Sequence, residues 1–337
     1  MSRLLASEWG IRLGFFGGVL LAMAAWEVLA PRRPRIVTTP VRWASNLGLV
    51  FLNSAVLRVV APFGLVGVAS LAETRGWGLF QSIALPYWLG VAVGVILLDL
   101  AVYLQHVMFH AVPLFWRLHM VHHADLDFDA TTGVRFHTLE ILLSFGIKGS
   151  AVLLLGTPPV SVLIFEVLLN AMSMFNHGNV RMPAWLDRVL RWFVVTPEMH
   201  RVHHSVIIQE TNCNFGFNLT WWDFLLGTYR DQPTEGHMGM TIGLSQFRDQ
   251  RRADRLHWML LLPFAGKSGE YPLNGRGPER SETRNKDMQL DAQSVSDECP
   301  PHAAYHVQEG QIHAGGPQAA DRGSTLKADM FGPDGFR

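Results

Sequence analysis

Two cysteines, Cys213 and Cys299, are all that the 337 residues contain, and they lie far apart in unlike surroundings. They exclude a disulfide framework and a CxxC metal site, and such usage suits a reducing compartment. Charge is scarce as well. Charged residues make up 17% of the chain and the formal net charge is zero, so neither a nucleic-acid footprint nor an acidic interaction tail is present. No HExxH occurs, which removes the usual zinc-protease arrangement, and there is no flavin or nicotinamide fingerprint and no CxxCH for covalent haem. The opening "MSRLLASEWGIRLGFF" has no small-residue cleavage site after a short apolar core. It reads as the approach to a retained membrane helix, not as a secretory signal.

What is plentiful is apolar surface, at 49% of residues and concentrated in the first two-thirds. A membrane-spanning helix needs about 20 mostly apolar residues. Candidate spans run from Gly10 to Ala30, within Trp43 to Ala72 (long enough for a span plus an interfacial piece, with Arg58 inside), and from Leu79 to Gln105. A fourth block, Leu139 to Phe175, is too long for one helix and breaks at "GTPPV", which predicts a helical hairpin that is short for full crossing. The expected fold is an all-α integral membrane protein. It is a bundle of about four to five transmembrane or re-entrant helices, with a cytoplasmic histidine-rich helical cap holding a di-metal site. Four arginines in "PRRPRIVTTPVR" place the loop between the first two spans in the cytoplasm. Counting onward brings residues 106–137 and 177–260 to that same side. The organisation expected is N-terminal membrane helices over 1–78, a catalytic histidine region over 79–264 and a disordered polar tail over 265–337, rich in Gly, Pro, Ser and charge. His302, His306 and His313 lie in that tail and read as incidental.

Eight of the fifteen histidines form three compact clusters: His106 and His110; His119, His122 and His123; His200, His203 and His204. Residues three and four apart share a helix face, whereas adjacent ones diverge by roughly 100°. Each "HxxHH" can therefore send ligands to two different ions, and two such triplets plus a pair can surround both. A lone histidine on an apolar face is usually a satisfied core residue; three clusters at helical spacing on one membrane face are not explained that way. His177, in "FNHGNVRMP", is a ninth candidate ligand. His137, in "VRFHTLE", is a tenth, with the alternative of an interfacial histidine bonded to a backbone carbonyl. Asp99 and Tyr103 continue the stripe of His106 and His110 along the third span, and Asn170 and Ser173 lead to His177 along the last apolar helix. These four are candidate supports behind the ligands; for Asp99 a capping or interfacial role is the alternative. Glu198, in "TPEMH", is the carboxylate nearest the third cluster and a candidate for orienting a neighbour.

Imidazole suits Zn, Cu, Fe and Ni alike, but zinc takes three or four protein ligands, fewer than eight to ten. That number fits two ions of higher coordination. A shell of neutral imidazoles leaves such a pair strongly electrophilic, which suits oxygen activation against an unactivated C–H bond. The order "HVMFH", "HMVHH", "HRVHH", with "DLAVYLQHVMFH", "VRFHTLE", "NHGNVRMP", "TPEMHRVHH" and the closing "NFGFNLTWWDFLLGTYR", resembles the fatty acid hydroxylase/sterol desaturase superfamily over roughly residues 90 to 232. The resemblance implies a histidine-bound non-haem di-iron centre, O2 as co-substrate, and hydroxylation or desaturation of a membrane lipid. It also implies an external electron donor such as a ferredoxin, a cytochrome b5-like protein or a reductase. By the same resemblance His106 and His110 form the first box, His119, His122 and His123 the second, and His200, His203 and His204 the third. His177 matches the extra histidine before the last box, and Ser173 stands where some members carry another. Two other classes compete: a zinc-dependent membrane hydrolase or isomerase, and a metal transporter or sensor. The transporter would carry its ligands near the midplane of several spans, not at span ends.

Overall fold

A computed structural model describes residues 8–265 and 267–273. Of the tail expected over 265–337, residues 265 and 267–273 are described, with Tyr271 buried against Trp116; the rest, with its three histidines and Cys299, lies outside the described residues. Among the described residues the chain is helical, with no strand. The long elements are α1 (Glu8–Leu29), α2 (Thr39–Val60), α3 (Gly64–Arg75), α4 (Tyr87–Ala111), α5 (Pro113–His123), α6 (Thr138–Leu155) and α7 (Pro159–Asn176). Shorter pieces follow: α8 (Ala184–Leu190), α9 (Pro197–His203), α10 (Ile208–Thr211), α11 (Trp221–Leu226), α12 (Gly236–Gly239), α13 (Gln250–Ala253) and α14 (Leu256–Ala265).

Local sequence sets these boundaries. Pro40, Pro113, Pro159 and Pro197 occupy first turns, where a missing N–H costs nothing and the fixed φ favours helix. Gly156 ends α6 in the left-handed region (φ 64°), and Pro158 then precedes α7, so "GTPPV" is the hairpin turn. The third span differs from the expected Leu79–Gln105: it begins at Tyr87 and runs to Ala111, with Leu79–Gln81 forming a separate 3₁₀ turn. Pro86 is the cause, since the residue before a proline is driven out of the helical region. Pro62 likewise divides the second apolar stretch into α2 and α3.

Among the described residues, five helical segments are long and apolar enough to cross a bilayer: Glu8–Leu29, Thr39–Gln81, Tyr87–Ala111, Thr138–Leu155 and Pro159–Asn176. Their outward faces carry Leu21, Phe51 and Leu154 at 72%, 79% and 75% exposure, far more apolar surface than a water-facing bundle leaves open. Inside, Leu65, Val66 and Ala69 of α3 pack with Leu98 and Val102 of α4, Val152 of α6 and Val162 and Phe165 of α7. Gly94 permits the close crossing of α4 on α7, because a Cβ there would stand 2.9 Å from Ser161 Oγ. A second core, around Leu49, Trp116, Met120, Leu244 and Met259, closes the histidine end.

That end is held by buried charge. Arg42 of α2 donates to Asp125 at 2.7 Å and to Asp129 at 2.6 Å, while Glu27 of α1 accepts from the amides of Ala130 (2.8 Å) and Asn179 (3.0 Å). The loop between α5 and α6 is thereby tied to both N-terminal spans. Removing one partner of such a buried pair typically costs 3–5 kcal/mol, roughly, because a charge is left uncompensated.

Candidate metal centre

The nine histidines of the boxes and of "FNHG" converge in two groups. His106, His110, His119, His123 and His203 bring one ring nitrogen each within 4.8 Å of one another, and His122, His177, His200 and His204 do the same. Adjacent histidines are separated as helical geometry requires: His122 and His123 fall in different groups, and so do His203 and His204. His119 stays with His123, and His200 with His204, because four residues return to the same face. α4 supplies the first pair, α5 the first triplet and α9 the second, with His177 closing α7.

Hydrogen bonds set which ring nitrogen is free. His106 Nδ1–H donates to the Phe215 carbonyl at 2.7 Å, His203 Nδ1–H to the Cys213 carbonyl at 2.7 Å, His177 Nδ1–H to the Ser173 carbonyl at 2.7 Å and His122 Nδ1–H to the Arg135 carbonyl at 3.3 Å. A carbonyl only accepts, so each of these Nδ1 atoms carries the proton and each Nε2 keeps its lone pair. His119 Nδ1 meets Glu140 Oε1 at 2.6 Å, and His110 Nδ1 meets Asn212 Oδ1 at 3.2 Å. The Asn212 amide is oriented by its own donation to the Tyr271 carbonyl.

The consequence is an arrangement of lone pairs facing lone pairs. His106 Nε2 stands 3.1 Å from His119 Nε2 and 3.0 Å from His203 Nε2; His177 Nε2 stands 3.1 Å from both His122 Nε2 and His204 Nε2. With the protons on Nδ1, the His106–His119, His106–His203 and His177–His122 contacts are not hydrogen bonds. Two nitrogens bound to one cation at ~2.0–2.1 Å stand ~3.0–3.4 Å apart, which is the spacing seen. His110 Nε2, His123 Nε2 and both ring nitrogens of His200 are buried without a partner among the described residues, a state that ordinary buried polar groups avoid. The donor set therefore fits metal ions. Burial pushes His119 and His177 down to about 3. Burial and neighbouring histidines also hold His122, His123, His200, His203 and His204 far below the usual histidine range. Neutral imidazole is the ligand form.

The other predicted residues take different places. His137 is outside both groups. Its Nδ1 accepts from the Leu139 amide as the N-cap of α6 (3.1 Å), and its Nε2–H donates to the Leu260 carbonyl (3.2 Å), the second of the two roles open to it. Asp99 touches no imidazole: its Oδ2 accepts from the Leu219 amide (3.2 Å) and the Trp222 indole (2.8 Å). Tyr103 bonds Thr228 at 2.8 Å. These two reach the centre indirectly, through the segment that carries Phe215. Thr228 also donates to Asp223, whose two oxygens accept from the amides of Phe215 and Gly216 at 2.8 and 2.9 Å. Ser173 supports His177 by its carbonyl, and its hydroxyl donates to the Gly133 carbonyl. Asn170 donates to the Glu166 carbonyl, is exposed, and lines the cavity described below, away from the imidazoles. Glu198 binds Arg32 at 2.6 Å, Arg201 at 2.9 Å and His237 at 3.0 Å. Burial raises its pKa, but His237, Arg201 and Arg32 together outweigh that and hold the carboxyl well below its usual range.

Sequence reasoning missed Glu140, Asn176 and Asn212, all bonded to histidines of the groups. For Glu140 a signal was available: a carboxylate in the first turn of a membrane-spanning helix is a functional candidate by default.

A cavity of about 840 Å³ opens beside the first group, between α1, α2, α4, α6 and α7. His106, His119 and Glu140 line its inner end, and Phe16, Phe51, Leu57, Phe136, Phe145 and Phe217 give it apolar walls. Leu13, Phe15 and Phe51, at 68%, 55% and 79% exposure, stand where it meets the outer surface of the spans.

Fold and site together define a multi-pass helical membrane protein with buried histidine groups that fit a metal site. Residues 91–228 match the family model described as fatty acid hydroxylase, in keeping with the superfamily that the histidine boxes resemble. The chain is 31% identical to an ornithine lipid hydroxylase of Rhizobium tropici over 44% of either chain. It is 25% identical to an alkylglycerol monooxygenase of Xenopus tropicalis over 60% of this chain and 45% of that one. With the cholesterol 25-hydroxylase of Homo sapiens it shares 30% identity over 40% of this chain and 49% of the relative. The chain thus spans less than half the length of each of these relatives. No solved structure matches.

Proposed function

We propose that the chain is a membrane-bound non-haem di-iron oxygenase that hydroxylates or desaturates a lipid with O2 and electrons from an external donor. The observation that carries this reading is the pairing of two neutral imidazole groups with an apolar cavity open at the lipid face. The fatty acid hydroxylase match and the hydroxylase and monooxygenase relatives support it. The nine histidines are the proposed ligands, five for one ion and four for the other, and among the described residues Glu140 is the one carboxylate bonded to any of them. Two iron ions held there would supply the O2 chemistry needed to attack an unactivated C–H bond.

The chain's own contribution is orientation and exclusion. Backbone carbonyls lock four of the imidazoles in one tautomer and one rotation, so the ligand lone pairs are directed before any ion arrives. Glu140 holds the Nδ1 proton of His119 at 2.6 Å and raises the donor strength of Nε2. Phe136 stacks on His122 at 4.5 Å, and Phe217 lies 5.1 Å from His106; these rings keep bulk water from the inner end of the cavity. The substrate enters sideways from the bilayer past Phe15 and Phe51, with its reacting segment against His106 and His119. The four arginines of residues 31–42 support a cytoplasmic side for the centre, where an electron donor would meet it.

Anaerobic purification with metal analysis, followed by turnover under ¹⁸O2 with a reductant and comparison of lipids from cells with and without the chain, tests the proposal. Iron at two per chain with O2-dependent change of a lipid is expected. Active protein containing zinc alone and needing no oxygen would refute it.

A further inference from the structure

The cavity that ends at the histidines also carries an unusual set of charges at its far side. Glu8 and Arg12 of α1, Arg58 of α2, Lys148 of α6 and Glu166 of α7 all line it. Most of these charges are already matched. Arg12 is bonded to Glu8 at 2.9 Å and to Glu166 at 2.5 Å, a bridge that clips α1 to α7. Arg58 lies over the Trp9 ring at 4.4 Å. Lys148 is different: its charged neighbours are Glu166 and Arg12, which are bonded to each other, and among the described residues its ammonium has no hydrogen bond or ion pair. An unmatched ammonium in a cavity walled by membrane helices is expensive and marks a functional position by default.

The inner end has the opposite character. Glu140 Oε2 and Gln105 Oε1, both in residues that line the cavity, are buried and lack partners. Both are acceptors, and a carboxylate or phosphate placed beside them would meet repulsion. The free cationic donor sits at Lys148, unpartnered acceptors sit beside the histidines, and a mainly apolar wall interrupted by Ser144 lies between. That polarity orients an amphiphile in one direction.

We propose that Lys148 seats the oxyanion of the lipid substrate, a carboxylate or a phosphate, so that the hydrocarbon chain runs inward to His106 and His119. This deepens the oxygenase reading and rests on it for the word substrate, but not for the binding itself. Lys148 is two helical turns beyond Glu140 on α6, a rise of ~12 Å. The anchored group and the reacting carbon are therefore separated by a chain of on the order of ten methylenes. Sterically the match is ordinary, since ligand pockets commonly enclose ~300–1,000 Å³.

The test is binding, read without turnover. The full chain in nanodiscs of zwitterionic lipid, metal-chelated and anaerobic, is titrated calorimetrically with palmitate, hexadecyl phosphate and hexadecanol, which share a chain length and differ at the end group. At least one anion should bind about tenfold tighter than the alcohol, a difference of one decade in Kd. Lys148→Gln should abolish that preference, and Lys148→Arg should keep it, with unchanged melting temperatures showing that the variants fold. Preference for palmitate assigns a free carboxylate, and preference for hexadecyl phosphate assigns a phosphate headgroup; either supports the seat. Hexadecanol binding as tightly as both anions, or an anion preference that survives Lys148→Gln, overturns it, and the first of these needs no variant. Anion-selective binding without O2 consumption by the iron-loaded protein would retain this site and remove the oxygenase reading. Oxygenation without anion selectivity would do the reverse.

Discussion

His119 and Glu140 are joined through Nδ1 and Oε1 at 2.6 Å, across 21 residues and between two helices. The bond fixes the tautomer of a box histidine held by a carboxylate, and it does so at the inner end of the cavity, where both residues form part of the wall. Losing such a partner typically lowers metal affinity about 10–100-fold. Glu140→Gln keeps an oxygen that accepts the Nδ1 proton, whereas Glu140→Ala leaves that proton without a partner. The expected order of iron retained after dialysis against graded chelator is wild type, then Gln, then Ala. Equal retention in all three would show that the carboxylate does not support the centre.

The division of the histidines into groups of five and four predicts how their loss should differ. His204→Ala and His200→Ala remove proposed ligands from the smaller group and should lower the metal content from the proposed two ions per chain toward one. His203→Ala removes one of five and should leave more metal bound. Activity should vanish in all three. His137→Ala is the control. It loses only the N-cap of α6 and one bond to Leu260, a cost of about 1 kcal/mol, so metal content should match wild type while the melting temperature drops. Metal analysis of the four purified variants decides this.

Much of this centre was legible because helical spacing separates neighbouring ligands. In "HMVHH" His122 and His123 must diverge, and no tertiary knowledge is needed to see that; that His123 and not His122 stays with His119 comes from the structure, since residues three and four apart both share a face. The hairpin turn was legible for a similar reason, since Gly156 and two prolines punctuate an apolar run too long for one helix. What escaped was the layer behind the ligands. The carbonyls of Phe215, Cys213 and Arg135 have no side-chain signature, and Asn212 reaches His110 across 102 residues. The stripe of Asp99 and Tyr103 shows the complementary limit: periodicity says that residues share a face, not what that face meets. In α4 the upper part of the stripe meets Trp222 and Thr228, and only its last two turns meet the histidines.

Gly133 is the tightest contact behind the smaller group. A Cβ on this residue would overlap the carbonyl of Ser173 and stand 3.1 Å from His177 Nδ1. The same Ser173 carbonyl accepts the His177 Nδ1 proton, so Gly133→Ala must displace the acceptor, the imidazole or the 3₁₀ turn at Thr132–Val134. Overpacking of this kind costs about 1–3 kcal/mol. The variant should melt lower than wild type and retain less metal in the His122, His177, His200 and His204 group. Gly146→Ala, on the open face of α6 with nothing near a new Cβ, should do neither. Identical metal content in Gly133→Ala and wild type would mean that the contact relaxes without touching His177.

Metal removal should destabilise the fold and sensitise it to acid. A ligand that binds only the native state at a free concentration of 1,000 Kd stabilises it by about 4.1 kcal/mol, so chelation should lower the melting temperature measurably. The metal-free chain then carries buried neutral imidazoles, with His119 and His177 held to about 3 by burial. In the unfolded chain they return to about 6.5. Between those values the unfolded state binds more protons, so stability rises with pH across the window and is lost as pH falls below about 6.5. Circular dichroism melts of chelated protein at pH 7.5 and pH 5 should show a steep drop, and metal-loaded protein a smaller one, because bound ions compete with protons for the same lone pairs. Melting temperatures of the chelated chain that are unchanged over that range would contradict the neutral, inward-facing state of these histidines.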